Sequence, residues 1–230
     1  MLVNLRRTTP LPFVVAFAVL LLAACGDSST GPGAVPSLRA AQTYGILAGT
    51  AVTCVGPVGT ISADVGVSPG SAISGFPTCT ISGTQNIANA TAGAAQGDLT
   101  TAYNGLKGLA CGTTISADLG GTTLAPGVYC SASSIGLTGA LTLSGSGNYV
   151  FQAGSGLTVA GSVVLANGAD AKNVYWQVGS SATLGTGSAM KGNILALSSI
   201  TFNANATLLG RALARNGALA LGSNNTITLP

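Results

Sequence analysis

The C-terminal half of the chain repeats short aliphatic segments, and this repeat constrains the fold more than any other feature. Thr158, Thr183, Thr201 and Ala220 occupy equivalent places in four aligned segments and are spaced 25, 18 and 19 residues apart. Each segment places short runs of β-branched and aliphatic residues between Gly, Ser, Thr and Asn, which is typical of strands joined by tight turns. A period of about 20 residues with several strands per repeat predicts a β-solenoid.

Such a solenoid needs a narrow apolar core and tight corners, and the sequence supplies both. Side chains alternate inward and outward along a strand, so every second aliphatic residue is expected to point inward. Gly and Asn between the runs permit sharp bends at the corners. The expected core residues are Leu157, Val159, Leu184, Ile200, Phe202, Leu219 and Leu221.

One stretch, residues 84–107, departs from the strand pattern. Its apolar residues recur at helical spacing and form a single, weakly apolar stripe rich in Ala and Leu. Small side chains let a helix lie close to a sheet, so this stretch predicts one long helix packed against the solenoid.

The N-terminus has the pattern of an export signal. Arg6 and Arg7 precede an apolar run over residues 11–24 that is too short for an ordinary membrane span. The run ends in Leu-Ala-Ala before Cys25, which resembles a bacterial lipobox, whose Cys is acylated and becomes the first mature residue; a plain signal peptide is the alternative. The expected organisation is a lipoprotein signal peptide over 1–24, the lipidated Cys25 with a flexible tether over 25–40, and a folded domain over 41–230, exported and anchored to the bacterial membrane.

The other four cysteines agree with export. An even number of cysteines in an exported chain indicates two disulfides, and three connectivities are open. We favour Cys54–Cys79 and Cys111–Cys130, because each pair closes a local loop. A zinc site competes with this interpretation, but the sequence has no CxxC pair and no His to support it. No metal and no cofactor are expected.

Low charge excludes most catalytic and nucleic-acid functions. Charged residues make up 6% of the chain, and His and Glu are absent, whereas an average domain has about 25% charged residues. The chain has eight Lys and Arg residues. Without Arg6 and Arg7, which belong to the export signal, six basic residues remain against five Asp. General acid–base chemistry needs converging acids and bases, and nucleic-acid binding needs a basic patch. We therefore predict a protein that is not an enzyme and binds no nucleic acid.

Four motifs resemble the microbial ice-binding protein family, formerly known only as a domain of unknown function, and the resemblance spans about residues 41–229. They are GVSPGSAISGFP (66–77), DLTTAYNGL (98–106), LGGTTLAPGVY (119–129) and the long run from NVYWQVG to GALAL (173–221). The resemblance implies a mainly β fold: a discontinuous, three-faced (triangular) β-solenoid with one long α-helix packed alongside. It further implies that the N-terminal segment completes the stack beside the last C-terminal coil, and that the protein adsorbs to ice. We expect a monomer.

Adsorption to ice needs a flat, rigid face of small side chains. Thr suits this role because its methyl group limits hydration, its hydroxyl anchors ordered water and its χ1 angle is stiff. We prefer the first of two competing faces, because it aligns Thr residues at one register, and we assign a third face to helix packing. The first face carries Thr142, Thr158, Ala160, Thr183, Gly185, Thr201 and Asn203. The second face carries Ser162, Val164, Ser188, Met190, Thr207, Leu209, Thr226 and Thr228.

The sequence thus predicts a non-catalytic ice-binding protein at the cell envelope, which limits ice growth or recrystallisation or adheres to ice. Its partners would be ice and, through the lipid anchor alone, the membrane. The alternative is a surface adhesin or envelope-structuring lipoprotein that binds polysaccharide or protein without ice activity. An exposed pair of aromatic rings would favour the adhesin, and a bare plane of Thr, Ala and Gly would favour ice.

Overall fold

The computed structural model describes Met1 and residues 34–230 apart from 57, 58 and 77, and parallel strands dominate it. The N-terminal part begins with a 3-10 turn at Arg39–Thr43 and ends with helix α1 at Ala90–Lys107. The strands between them are β1 (Tyr44–Ala48), β2 (Ala51–Cys54), β3 (Gly59–Ser62), β4 (Asp64–Val67), β5 (Ala72–Ser74), β6 (Cys79–Ile81) and β7 (Gln85–Ile87).

The C-terminal part contains the remaining strands of the described residues and a second 3-10 turn at Ala171–Asn173. The first of these strands are β8 (Thr113–Thr114), β9 (Thr123–Leu124), β10 (Gly127–Ser131), β11 (Ile135–Leu137), β12 (Ala140–Ser144), β13 (Tyr149–Ala153), β14 (Leu157–Val159) and β15 (Ser162–Ala166). The others are β16 (Val174–Val178), β17 (Ala182–Leu184), β18 (Ala189–Ala196), β19 (Ile200–Phe202), β20 (Thr207–Ala214), β21 (Leu219–Leu221) and β22 (Thr226–Thr228).

These strands form the three faces of a triangular solenoid, as the resemblance implies. The first face is the seven-stranded sheet, ordered β11, β14, β17, β19, β21, β2, β5. The second face contains β9, β12, β15, the N-terminal halves of β18 and β20, β22, β3 and β6. The third face contains β8, β10, β13, β16, the C-terminal halves of β18 and β20, β1, β4 and β7.

Glycine and asparagine turn the chain at the corners. Strands β18 and β20 pass from the second face to the third at Gly192 and Gly210, which are paired in register and have φ values of +105° and +153°. The corner between the first and second faces uses Gly187, Asn205 and Asn224 in the left-handed region, at φ +71°, +61° and +58°. Asn tolerates this conformation better than other residues with a Cβ, which explains its recurrence there.

The solenoid is discontinuous because its N-terminal coil stacks on its last C-terminal coil. Strand β1 pairs with β20, where Ile46 lies opposite Ala212, and β2 and β3 pair with β21 and β22. Helix α1 follows β7 at one edge of the large sheet and leads to β8 at the opposite edge. The helix therefore carries the chain back along the third face, so that the C-terminal coils build toward β1.

Stacked side chains fill the core in register with the strands. Tyr129, Phe151 and Trp176 occupy paired positions on the third face, and their ring centroids are separated by 5.4 Å and 4.0 Å. All seven core residues predicted from the repeat are buried, which confirms their inward orientation. A second apolar cluster joins α1 to the third face through Leu99 and Leu106, each fully buried. Burial of such a side chain contributes about 2 kcal/mol.

Both predicted disulfides are present and join neighbouring coils at the two ends of the stack. Cys54–Cys79 links β2 to β6, with Cα atoms 6.3 Å apart. Cys111–Cys130 links the segment before β8 to β10, with Cα atoms 5.8 Å apart. A terminal coil has a neighbour on one side only, so a covalent link there limits fraying. Each bridge restricts the unfolded chain and is worth about 3 kcal/mol in the chain-entropy model.

Two predicted boundaries differ from the structure. Helix α1 begins at Ala90 rather than near residue 84, because Gln85–Ile87 pairs with β4 and the Asn89 side chain caps the helix by accepting from Ala92 N. The tether ends earlier than predicted, since Val35 and Leu38 already pack in the cluster beneath α1. The predicted signal peptide and Cys25 lie outside the described residues. No helix in the described ranges is long and apolar enough to cross a membrane.

The glycine bend between the second and third faces can be tested by Gly210→Ala. A Cβ at this position would overlap the carbonyl of Gly192, and Ala disfavours the positive φ, so we expect a loss of about 3 kcal/mol. The matched control is Gly97→Ala, on the exposed side of α1, where a Cβ meets nothing within 4 Å. We expect that control to gain about 1 kcal/mol from helix propensity. Urea unfolding of both variants measures the difference, and equal stabilities would contradict this account of the bend.

Candidate functional site

The first face presents one outward residue on each of β11, β14, β17, β19 and β21, and two on each of β2 and β5. In the first five strands, which are three residues long, only the central side chain points outward. In β2 and β5 the outward pairs are Ala51 with Thr53 and Ala72 with Ser74. Thr53, Thr183 and Thr201 in the middle of this row are half-buried, whereas Thr158 is exposed. The paired positions of this single row are Gly136, Thr158, Thr183, Thr201, Ala220, Thr53 and Ser74.

Six of the seven predicted site residues lie on or beside the first face. Thr158, Thr183 and Thr201 are paired in register, as predicted. The other three, Ala160, Gly185 and Asn203, follow the strand ends at the corner toward the second face. Their backbone N–H groups continue the ladder by one step, to the carbonyls of Leu137, Val159 and Leu184. None of these three residues carries a hydroxyl group.

The placement of Thr142 on the first face was wrong. Thr142 lies in β12, on the second face, where it pairs with Thr123 and Val164. The reason is the turn before it. The first-face strand of this coil is β11, which ends at Leu137, and the chain has already passed the corner when β12 starts at Ala140.

The second face presents two parallel ranks of outward residues. Rank one contains four neighbouring threonines, Thr207, Thr226, Thr60 and Thr80, and all four are exposed. Rank two lies two residues further along each strand, about 6.7 Å away. Rank one consists of Ala140, Ser162, Ala189, Thr207, Thr226, Thr60 and Thr80. Rank two consists of Thr123, Thr142, Val164, Lys191, Leu209, Thr228 and Ser62.

Two residues predicted for the second face point inward instead. Ser188 and Met190 are each 1% exposed, and the outward residues of this strand are Ala189 and Lys191. The preceding corner turns through Gly187, which shifts the alternation by one residue relative to the prediction. A shift of one residue exchanges the two sides of a strand.

The sequence reasoning missed the N-terminal contribution to the second face. Thr60 and Ser62 in β3, and Thr80 in β6, extend the two ranks formed by the C-terminal coils. A signal for them was present, because Thr-Ile-Ser at 60–62 and 80–82 repeats the pattern of Thr-Ile-Thr at 226–228. The apolar residue of each triplet points into the core and the hydroxyl residues flank it.

The outward surfaces of the first and second faces are almost uncharged. The single row and rank one contain no charged residue, and rank two contains Lys191. Asp118 lies in the end coil, where hydrogen bonds from Thr138 and Gly120 lower the pKa of its carboxyl group. Charged groups would bind water in their own hydration geometry, so their scarcity leaves the hydroxyl and methyl groups to organise the water at these faces.

Aromatic rings do not form an exposed pair on any face of the described part. Tyr44, Tyr103, Tyr149 and Trp176 are at most 2% exposed, and Tyr129 is 8% exposed. Tyr175 is half-buried. Phe76 is likewise half-buried, so the described surface shows no exposed pair of rings.

No carboxylate lines three surface cavities of the described part. Their volumes are about 390, 460 and 270 Å3. The described residues also include no group of three or more potential metal ligands. Because these cavities hold no acidic or metal-ligating cluster, the candidate binding surface is the second face.

Residues 46–228 match the protein family described as ice-binding-like. The chain belongs to the ice-binding-like family. A curated relative, an ice-binding protein of Nostoc sp. (strain HG1), is 47% identical over 198 residues, covering 83% of this chain and 73% of the relative.

Solved structures of ice-binding proteins share the whole fold with this ice-binding-like chain. One, from an Antarctic biological consortium, superposes with a TM-score of 0.83 at 42% identity and covers 87% of this chain and 94% of its own. Another, from the Antarctic ascomycete Antarctomyces psychrotrophicus, superposes with a TM-score of 0.80 at 38% identity. The match covers 85% of this chain and 98% of the solved chain. The sequence-based assignment to the family and the predicted fold are confirmed.

Proposed function

We propose that this protein adsorbs to ice through the second face and has no catalytic role. The observation that carries the choice of face is its two-rank geometry. An ice surface is a two-dimensional lattice, so a matching protein surface needs positions that repeat in two directions. Rank one and rank two provide one repeat along the strands, about 6.7 Å, and another across the coils, about 4.8 Å.

Rank one supplies the groups that such adsorption needs. Thr207, Thr226, Thr60 and Thr80 place exposed methyl and hydroxyl groups in one line. Rank two adds hydroxyl groups at Ser62 and Thr228 and exposed aliphatic surface, including Val164, which is 42% exposed. Stiff χ1 angles and the closed coil beneath reduce the side-chain entropy lost when the face meets a fixed lattice.

The first face, which we preferred from sequence, supports adsorption less well. Its row repeats in one direction along most of the face, because a second row is limited to Ala51 and Ala72 at one end. Thr183 and Thr201 in the row are also half-buried. The residues beside them at the corner, including Gly185 and Asn203, provide no second row of shared chemistry. The first face remains the competing site, and the variants below separate it from the second face.

We further propose that the protein is anchored to the cell envelope through acylated Cys25. The support is the Leu-Ala-Ala-Cys sequence together with the course of the chain after it. Leu38 packs beneath α1, and Ala40 N donates to Asp98 Oδ2 of the helix at 3.0 Å. The described N-terminal segment therefore begins on the helix-covered side, so an anchor attached through it would leave the second face free to meet ice outside the envelope. The adhesin without ice activity stays the alternative, although buried aromatic rings give it little support.

Paired double substitutions test which face meets ice. Thr207→Tyr with Thr226→Tyr places two large rings on the second face, at neighbouring coils. Thr183→Tyr with Thr201→Tyr does the same on the first face and is the matched control. We expect the second-face pair to reduce inhibition of ice recrystallisation about tenfold or more, because the rings hold the plane away from ice. The control pair should retain crystal shaping, and both should keep the parent melting temperature.

The opposite pattern, with activity lost in the control pair alone, would assign adsorption to the first face. A folded parent that neither shapes crystals nor slows recrystallisation would contradict ice adsorption and leave the adhesin as the better interpretation.

Cys25→Ser tests the anchor. The wild-type chain expressed in bacteria should partition into the detergent phase and carry an acylated N-terminal Cys25 by mass spectrometry. The Cys25→Ser variant should partition into the aqueous phase, because it has no thiol for acylation. Ser29→Ala, a change of similar size in the same segment, is the control and should behave as wild type. Equal partitioning of wild type and Cys25→Ser would rule out the lipid anchor.

A further inference from the structure

A cavity of about 270 Å3 lies where the N-terminal segment crosses the outer surface of the third face. Tyr175, Asn193 and Arg211 form one side of it from neighbouring strands β16, β18 and β20. Ser37 and Gln42 line it from the N-terminal segment, and Lys172 lines it from the second 3-10 turn. The cavity plays no part in the proposed contact with ice.

Arg211 is held in one orientation at this cavity. Its Nε donates to the carbonyl oxygen of Gln42 and its Nη1 donates to Asn193 Oδ1, both at 2.8 Å. Asn193 is fully buried, and its Nδ2 donates to the carbonyls of Lys172 and Val174, so its side-chain oxygen stays directed toward Arg211. These neutral acceptors use two of the five guanidinium N–H groups, and three remain.

No carboxylate of the described residues forms an ion pair with Arg211. Lys172, in the cavity wall, forms an ion pair with Asp170: its Nζ lies 2.9 Å from Asp170 Oδ2. This contact also raises the pKa of Lys172. Arg211 is half-buried, and this burial lowers the pKa of its guanidinium group. A partly desolvated cation with free donors is stabilised most by an anion that accepts several hydrogen bonds.

We propose that this cavity binds a phosphate group, held by the free N–H donors of Arg211 and by the ammonium group of Lys172. A phosphate offers several acceptor oxygens to the planar fork of an Arg side chain. The Ser37 hydroxyl in the cavity wall is a further donor. The phosphate belongs either to a soluble phosphate ester or to a lipid headgroup. Ser37 lies 12 residues after Cys25, a span of at most about 40 Å, so an anchored domain would keep the cavity within reach of headgroups.

Titration of residues 34–230 with inorganic phosphate tests the cavity. This fragment contains both apolar clusters of the described structure. It also lacks Cys25, so no lipid anchor contributes to binding. We expect saturable shifts of the amide resonances of Ser37, Gln42, Lys172 and Asn193 at constant ionic strength. Titration of three variants then assigns the binding groups.

Arg211→Gln should weaken phosphate binding about tenfold, because it removes the charged fork. Asp170→Asn should strengthen binding several-fold, since it frees the Lys172 ammonium while its side-chain oxygen can still cap the 3-10 turn at Lys172 N. Lys107→Gln removes an equal charge at the end of α1, away from the cavity, and should leave binding unchanged. A gain of affinity cannot arise from misfolding, so Asp170→Asn keeps the test decisive even if Arg211→Gln unfolds.

The absence of saturable shifts would overturn the proposal. An equal loss in Lys107→Gln and Arg211→Gln would also overturn it, because binding would then follow net charge alone. No gain in Asp170→Asn would overturn it as well, because the Lys172 ammonium group would then not hold the phosphate.

Cosedimentation with vesicles identifies the source of the phosphate. A lipid headgroup is supported if the protein binds phosphatidylglycerol vesicles but not phosphatidylcholine vesicles, and if the variants rank in affinity for the vesicles as they do for phosphate. Phosphate binding without vesicle binding supports a soluble phosphate ester.

Discussion

The parallel, in-register pairing of successive coils is the constraint on which the rest of this structure depends. It continues across the break in the chain, where β1, β2 and β3 of the N-terminal coil pair with β20, β21 and β22 of the last C-terminal coil. Because every coil closes through three faces, a shift of register on one face would displace the other two. The aromatic stack of Tyr129, Phe151 and Trp176 and the threonine row of rank one follow from the same register.

The same register separates two kinds of surface on one small prism. The second face repeats small hydroxyl and aliphatic residues in two directions and carries one charged side chain, Lys191, in its two ranks. The third face is covered by α1 and holds several buried polar contacts. There Gln177 Nε2 donates to the Tyr103 hydroxyl, and Arg215 lies 4.8 Å from the Tyr103 ring centroid. The second face is therefore a nearly uncharged open plane, whereas the third face is polar and covered by the helix.

Much of this arrangement could be predicted from residues close together in the sequence. Alternation along a strand identified inward Leu157 and Phe202, and the helical spacing identified all of α1 but placed its start six residues too early. The motif resemblance supplied the discontinuous topology, which no local pattern contains, since Ile46 and Ala212 meet across more than half of the chain. Errors arose at corners: Thr142 was placed on the wrong face, and Ser188 and Met190 were predicted outward although they are buried.

The sequence by itself therefore determined the fold class, the core residues and the near absence of charge, because these depend on composition and on periodicity within single strands. It favoured the two disulfides that the structure contains, but it left three connectivities open. Only the tertiary structure decided which threonines share a plane. Thr60, Thr80, Thr207 and Thr226 come from separate parts of the chain and form one line. The physical reason is that corner geometry, set by residues such as Gly187 in the left-handed region, decides where alternation restarts. A single residue gained or lost at a corner moves the side chains of the strand that follows to the opposite side.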